Sequence, residues 1–305
     1  MANSIQKLSV QQPALLGTGF AVLAAIGFSA KAIMVKLAYT ESIDALSLLT
    51  LRMIFSAPIF LAIALWSGRQ VHRAALTRQD WLAVLVLGLI GYYLSSLLDF
   101  TGLQYVSAGL ERLILFLYPT FVVILSAVFF KQRIGRRALF ALLISYAGIA
   151  LVYRQDAQHG DAQAALGATL IFVSALTYSL YLVGAGHFIA RIGTIRFTAY
   201  AMTVASMATL LQFGFTHPLA ALNVSTRLYA LGFSMAVLST VLPVFMLSAS
   251  MRLIGSGRTA MIGSLGPVST IVLAHWILGE TLSVPQIAGS VLVLAGVLVI
   301  SRAKR

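Results

Sequence analysis

Five ionisable side chains stand inside stretches of this sequence that are otherwise apolar: Lys31, Arg52, Asp99, Glu111 and Arg112. A charge at the centre of a membrane-spanning helix costs roughly 2.5–3.5 kcal/mol on insertion scales, so each of these groups needs a partner, water or a function. Three cations and two carboxylates can pair with one another, hold an anionic solute, or exchange protons at the acids. Covalent catalysis is not among their options. The chain has no Cys, no HExxH and no GxSxG, and its five histidines are scattered at 72, 159, 187, 217 and 275. Neither an activated nucleophile nor a clustered metal site is written here, and the lack of a P-loop excludes an ATP-driven pump. No cofactor is expected.

Neutral residues add to this set. On helical spacing, Tyr92, Ser96 and Asp99 share one face of their helix, and Glu111, Leu115 and Tyr118 share one face of the next. Pro119 and Pro267 each fall near the middle of an apolar stretch, where proline removes a helical hydrogen bond and displaces the preceding turn. Tyr118 and Gly266 stand just before them and differ in size. These eleven positions, Lys31, Arg52, Tyr92, Ser96, Asp99, Glu111, Arg112, Tyr118, Pro119, Gly266 and Pro267, form the expected substrate path or gate. Three other groups have plainer readings: Lys36 snorkels to headgroups, Arg258 sits at an interface, and Asp80 starts a helix. His275 is read as structural, with a proton relay as the alternative.

The elements that must position these residues follow from composition. Apolar residues make up 60% of 305 positions and charged residues 10%, against roughly 25% charged in soluble domains. The chain is therefore expected to be an all-α integral membrane protein solvated by lipid. Apolar runs predict spans near 14–38, 45–66, 80–100, 107–130, 136–153, 164–185, 193–215, 226–250, 257–279 and 284–301. The first run follows Lys7, continues past signal-peptide length and reads as a retained span.

The net charge of +13 need not mean nucleic acid. With the N-terminus cytoplasmic, the inner segments hold Lys7, Arg69, Arg73, Arg78, Lys131, Arg133, Arg136, Arg137, Arg191, Arg196, Arg252, Arg258, Arg302, Lys304 and Arg305. Only Arg154 and Arg227 fall outside, together with the acidic Glu41, Asp44, Asp156, Asp161 and Glu280. This is the positive-inside asymmetry of a multi-pass protein with both termini cytoplasmic.

An internal repeat organises the spans. Displaced by 148 positions, residues 103–154 lie on 251–302 without a gap, so that Gly109 meets Gly257, Pro119 meets Pro267 and Gly148 meets Gly296. Displaced by 150, residues 14–29 lie on 164–179. Five spans per half is an odd number, so the two halves must be inverted, an architecture recurrent among secondary transporters. The expected halves are 1–153 and 164–305, joined by the polar linker 154–163. Ala141 with Gly148, and Gly289 with Gly296, give spans five and ten smooth faces for helix packing within the bundle, a dimer contact being the alternative.

The order of these features resembles the EamA-type transporters of the drug/metabolite transporter superfamily. The resemblance rests on the ten-span 5+5 layout, GFSAKAIMVK at 27–36, the Leu-Arg pair at 51–52, the Tyr-Pro and Gly-Pro centres, and GETLSVPQIAG at 279–289. The Lys131-Gln132-Arg133 turn and Lys31 depart from the usual pattern. The resemblance implies a carrier or exporter of a small metabolite in the inner or plasma membrane, with no particular substrate. A membrane-embedded enzyme and a non-transport scaffold are the competing classes. The first lacks catalytic groups, and the second has no need of two inverted halves. The partners expected are lipid, a small-molecule substrate such as an amino acid or related solute, and no nucleic acid, in a monomer or weak homodimer. Asp99, Glu111 and His275 make proton coupling an option beside uniport and exchange.

The charge asymmetry fixes an orientation that can be measured. A cysteine introduced by Gln70→Cys into this cysteine-free chain should resist an impermeant thiol reagent added outside intact cells and react after permeabilisation; labelling from outside would reverse the topology.

Overall fold

In the computed structural model, described over residues 2–68, 75–131, 136–157, 162–263 and 265–303, every regular element is helical. The order is α1 (Ala2–Tyr39), α2 (Ala45–Gly68), α3 (Arg78–Gly88), a π segment (Leu89–Leu94), α4 (Ser95–Gly102), α5 (Ala108–Leu115), α6 (Tyr118–Phe130), α7 (Arg136–Ala157) and α8 (Ala162–Ile192). Then come α9 (Thr194–Thr216), a short 3-10 turn (Leu219–Leu222), α10 (Thr226–Ala236), a π segment (Val237–Val241), α11 (Leu242–Ile254), α12 (Ser256–Gly263), α13 (Leu265–Leu273), a π segment (Ala274–Leu278) and α14 (Val284–Ala303).

Among the described residues, Ala14–Tyr39, Ala45–Gly68, Arg78–Gly102, Ala108–Phe129, Gln163–Gly186 and Thr226–Ile254 are long and apolar enough to cross a membrane, and Leu143–Arg154, Leu265–Leu278 and Val284–Gly296 are shorter apolar helices. The protein is therefore a membrane-embedded, multi-pass bundle. Its polarity is inverted relative to a soluble fold: Leu61, Leu65, Leu82, Leu143 and Leu211 face outward, while Ser29, Ser56, Thr120, Ser174, Ser206 and Thr209 are buried. Lipid offers no hydrogen bonds, so hydroxyls turn inward to partners in the bundle: Thr209 donates to the Ala205 carbonyl at 2.9 Å, and Ser206 to the Met53 sulfur at 3.4 Å. α9 packs on α2 and buries Arg196, Thr198, Ser206 and Thr209.

Local chemistry sets the helix ends. Asp44 accepts from the N–H groups of Leu46 and Ser47 at 2.9 Å each and so caps α2. Thr77 and Asp80 form a reciprocal capping box at the start of α3, as the sequence reading of Asp80 as a helix start requires. Gly255 and Gly279, at φ 82° and 70°, reverse the chain where a Cβ would be strained. Arg69, Arg73, His72, Arg133, His159, Asp161, Lys304, Arg305 and the middle of the linker, 158–161, lie outside the described residues.

Segments related by the sequence displacement take reciprocal neighbours. α1 packs on α11, α12 and α13, while α8 packs on α4, α5 and α6; α2 packs on α9, and α7 on α14. The π segments Leu89–Leu94 and Val237–Val241 begin 148 positions apart, the displacement that superposes 103–154 on 251–302. The α7–α14 contact is made through glycine: a Cβ on Gly148 would stand 2.5 Å from the backbone oxygen of Gly289. Gly148 and Gly289 thus serve packing within one chain.

Gly148→Leu should consequently destabilise the detergent-solubilised protein by about 1–3 kcal/mol, the usual scale of overpacking. Gly186→Leu, at a glycine with nothing within 4 Å, should be near neutral in the same thermal-unfolding measurement.

Candidate functional site

Lys31, two turns from the end of α1, donates to Glu111 Oε1 at 2.8 Å and forms a shorter ion pair with Asp99. Asp99 comes from α4 and Glu111 from the first turn of α5, so one ammonium joins three helices. All three are withdrawn from the surface, with side-chain exposures of 14%, 6% and 0% for Lys31, Asp99 and Glu111. Asp99 Oδ1 and Glu111 Oε2 are buried with no hydrogen-bond partner.

The two arginines are placed differently. Arg52 on α2 donates to Ser96 Oγ at 3.0 Å and lies 4.8 Å over the Phe100 ring, with Nε unpartnered. Arg112, one residue past Glu111, turns toward α13, where a Cβ built on Gly266 would come within 2.5 Å of its Nη2. Its Nε is buried with no partner. The expectation that the cations and acids meet is met by Lys31 and both carboxylates, whereas neither arginine makes an ion pair within 4 Å among the described residues.

Tyr92 lies in the π segment, its hydroxyl 3.2 Å from that of Tyr181 on α8 and its ring packed against the cluster of Phe60, Met202 and Val241, while Ser96 meets Arg52 of α2 and Asp99 meets Lys31 of α1. Between Glu111 and Tyr118 the helix tightens at 116–117, with bonds from the Leu117 N–H to Ile114 and from the Thr120 N–H to Leu117. Tyr118 packs on Tyr178 with ring centroids 6.0 Å apart, and Tyr178 stacks on Tyr181 at 5.8 Å. Tyr178 and Tyr181 were not among the expected site residues. Their i, i+3 spacing on α8 is the signal that could have found them.

Both proline breaks receive a serine from another helix. Ser29 Oγ on α1 lies 2.8 Å from the Gly266 carbonyl and 2.7 Å from that of Ala25. Ser179 Oγ on α8 lies 3.2 Å from the Tyr118 carbonyl and 2.7 Å from that of Ala175. Ser29 and Ser179 are one pair related by 150 positions, and Tyr118 and Gly266 one pair related by 148. The carbonyl before Pro119 and that before Pro267 are thus held in the same manner.

The groups given plainer readings also have definite places. Lys36 donates to the Leu103 carbonyl at 3.1 Å. Arg258 is exposed. Asp80, beyond starting α3, is buried and pairs with Arg191 of α8. His275 donates through Nδ1 to the Glu280 carbonyl at 2.9 Å, and Glu280 itself takes the N–H groups of Ala108 and Gly109 at 2.8 and 3.3 Å, capping α5 from a distant loop. In the α1–α2 loop, partial burial pushes the Asp44 carboxyl up, but the bonds from Ser47 and Leu46, with His217 at 3.6 Å, leave it below the ordinary carboxylate value.

Comparison with known proteins places this geometry. The EamA-like transporter family matches the sequence twice, over residues 15–154 and 165–302. The uncharacterized transporter YcbK of Bacillus subtilis (strain 168) is 33% identical, over 90% of this chain and 89% of its own. The uncharacterized inner membrane transporter YicL of Salmonella typhimurium is 24% identical, over 82% of this chain and 83% of its own. A solved crystal structure with 17% sequence identity shares the fold, at a TM-score of 0.65 over 95% of this chain and 97% of that one.

Removing Lys31 would strand two buried carboxylates. Lys31→Met should therefore lower stability by about 3–5 kcal/mol, the range for breaking a buried ion pair, and adding Asp99→Asn with Glu111→Gln should recover most of it in thermal unfolding. Unchanged stability in Lys31→Met would mean that the ammonium leaves the carboxylates without cost.

Proposed function

We propose that this chain, which belongs to the EamA-like transporter family, is a secondary carrier of a small organic metabolite that works by alternating access. The observation that carries this reading is a charged and tyrosine-lined centre, at two proline-interrupted helices, buried in a bundle whose outer surface is apolar. Such interruptions in matching positions are where carriers bind their solutes. A bundle that only scaffolded lipid would gain nothing from enclosing groups this costly to bury.

In this reading the chain crosses the membrane ten times as two inverted five-helix halves, 1–153 and 164–305. The reciprocal packing of α1 and α8, the paired π segments and the paired serines support it. The charge asymmetry supports an inner-membrane location with both termini cytoplasmic. Lys31, Asp99 and Glu111 then close the outer end of the path, with Arg52 and Ser96 beside them, and Arg191 with Asp80 and Thr77 ties α8 to α3 at the inner end. Between the two lie Tyr92, Arg112, Tyr118, Pro119, Gly266 and Pro267. Access alternates as one tie opens and the other closes. α7 and α14, which pack on each other, form the back of the bundle.

The purified protein, screened by thermal shift against amino acids, sugars, nucleosides and organic ions, should be stabilised by one class, and that class should exchange across proteoliposomes faster than across protein-free vesicles. Tyr118→Ala should slow exchange roughly tenfold or more, equivalent to about 1.4 kcal/mol, whereas Ser145→Ala, on α7, should leave it unchanged. No exchange of any stabilising solute would refute the carrier reading, and repeating the flux with and without a pH gradient separates proton coupling from uniport or exchange.

A further inference from the structure

The five ionisable groups of this centre carry opposite signs unequally, and their contacts show where the surplus sits. Three cations against two carboxylates leave one positive charge when all are ionised, and protonation of either acid only increases it. Lys31 engages both acids, so the unmatched charge is left to the arginines. Arg52 already donates to Ser96 and lies over Phe100. Arg112 makes no hydrogen bond or ion pair with any described residue, although Glu111, Asp99, Tyr118 and Tyr178 lie within electrostatic reach, and its Nε is buried without a partner.

A guanidinium in that position is a planar fork of unused donors, and a carboxylate completes such a fork with two parallel charge-assisted bonds. Room for the fork exists because residue 266 is glycine: a Cβ there would collide with Nη2 at 2.5 Å. Next to Arg112, the rings of Tyr118, Tyr178 and Tyr181 follow one another with centroids 6.0 and 5.8 Å apart. Their faces suit a flat apolar body. Ring faces alone would also suit a cation, but a cation here would meet the surplus positive charge.

Resting on the carrier reading, we propose that Arg112 anchors the carboxylate of the substrate, that the tyrosines of α6 and α8 take its apolar body, and that the substrate class is small organic monoanions with a flat hydrophobic group. Lys31, by contrast, is spent on closing the path.

The test is equilibrium binding to the purified full chain by titration calorimetry at neutral pH, with four probes of graded chemistry: 3-phenylpropionate, the isosteric 3-phenylpropanamide, 3-phenylpropylamine and propionate. The phenyl acid should bind at least about tenfold more tightly than the amide, the amine and propionate, since hydrogen bonds to a charged group account for that factor or more. Arg112→Gln should abolish the preference for acid over amide, and Arg112→Lys should restore part of it. Gly266→Ala keeps the charge but displaces the fork, and should weaken the acid about tenfold while leaving the amide unaffected, which covers the case in which Arg112→Gln does not fold. Equal binding of acid and amide, tighter binding of the amine, binding of none of the probes, or wild-type acid affinity in Gly266→Ala and Arg112→Gln would each overturn the assignment. Binding is read without flux, so a chain that binds the acid but transports nothing would refute the carrier reading alone, and one that transports cations without binding the acid would refute this assignment alone.

Discussion

An ammonium placed between two carboxylates decides much of the arrangement at one end of this bundle. Lys31 ties α1 to α4 and α5, of which only the last two are joined by a short turn. Withdrawn from water, each charge would be costly alone, and mutual pairing is what makes their common burial tolerable. Because Glu111 is drawn toward α1, the next residue, Arg112, is turned the other way on α5, toward α13 and the tyrosines. The ion pair therefore also aims the Arg112 guanidinium, which has no hydrogen-bond or ion-pair partner among the described residues.

The remainder is governed by the absence of hydrogen-bonding solvent in lipid. Proline interrupts α5–α6 and α12–α13, and such interruptions are stable only where neighbouring helices supply polar groups. Ser29 and Ser179 do so across the bundle. Small residues permit the other close approach, with Gly148 against Gly289 replacing side-chain packing by backbone contact. Hydroxyl, glycine and proline positions thus form one system in which each helix depends on a partner from the other part of the chain.

Much of this was legible in the sequence, because apolar run length and breaks report directly on helices in a membrane. The starts of α2, α3, α5 and α10 are signalled by Asp44, Thr77, Ser107 and Ser225, all side chains that cap. The π segments were not legible: one extra residue in a turn has no compositional signature. The meeting of Lys31 with Asp99 and Glu111 could be anticipated from depth and sign, but the allotment of partners could not. Arg52 chose a hydroxyl and a ring, a preference that depends on rotamers and not on spacing. Tyr178 and Tyr181 passed as apolar residues in an apolar helix, and Glu280 as a solvated loop acid.

The cap that Glu280 places on α5 has a consequence for the order in which the chain is made. Synthesis runs from the N-terminus, so Ala108 and Gly109 enter the bilayer long before the carboxylate that receives their N–H groups exists. Until then Ser107, which takes the Leu110 N–H at 3.1 Å, holds that turn alone. The backbone face of Gly148 waits equally for Gly289, and the carbonyl of Gly266 must come to Ser29. The segments made first thus wait for partners made last, and the loop that carries Glu280 completes the helix that carries Glu111 and Arg112.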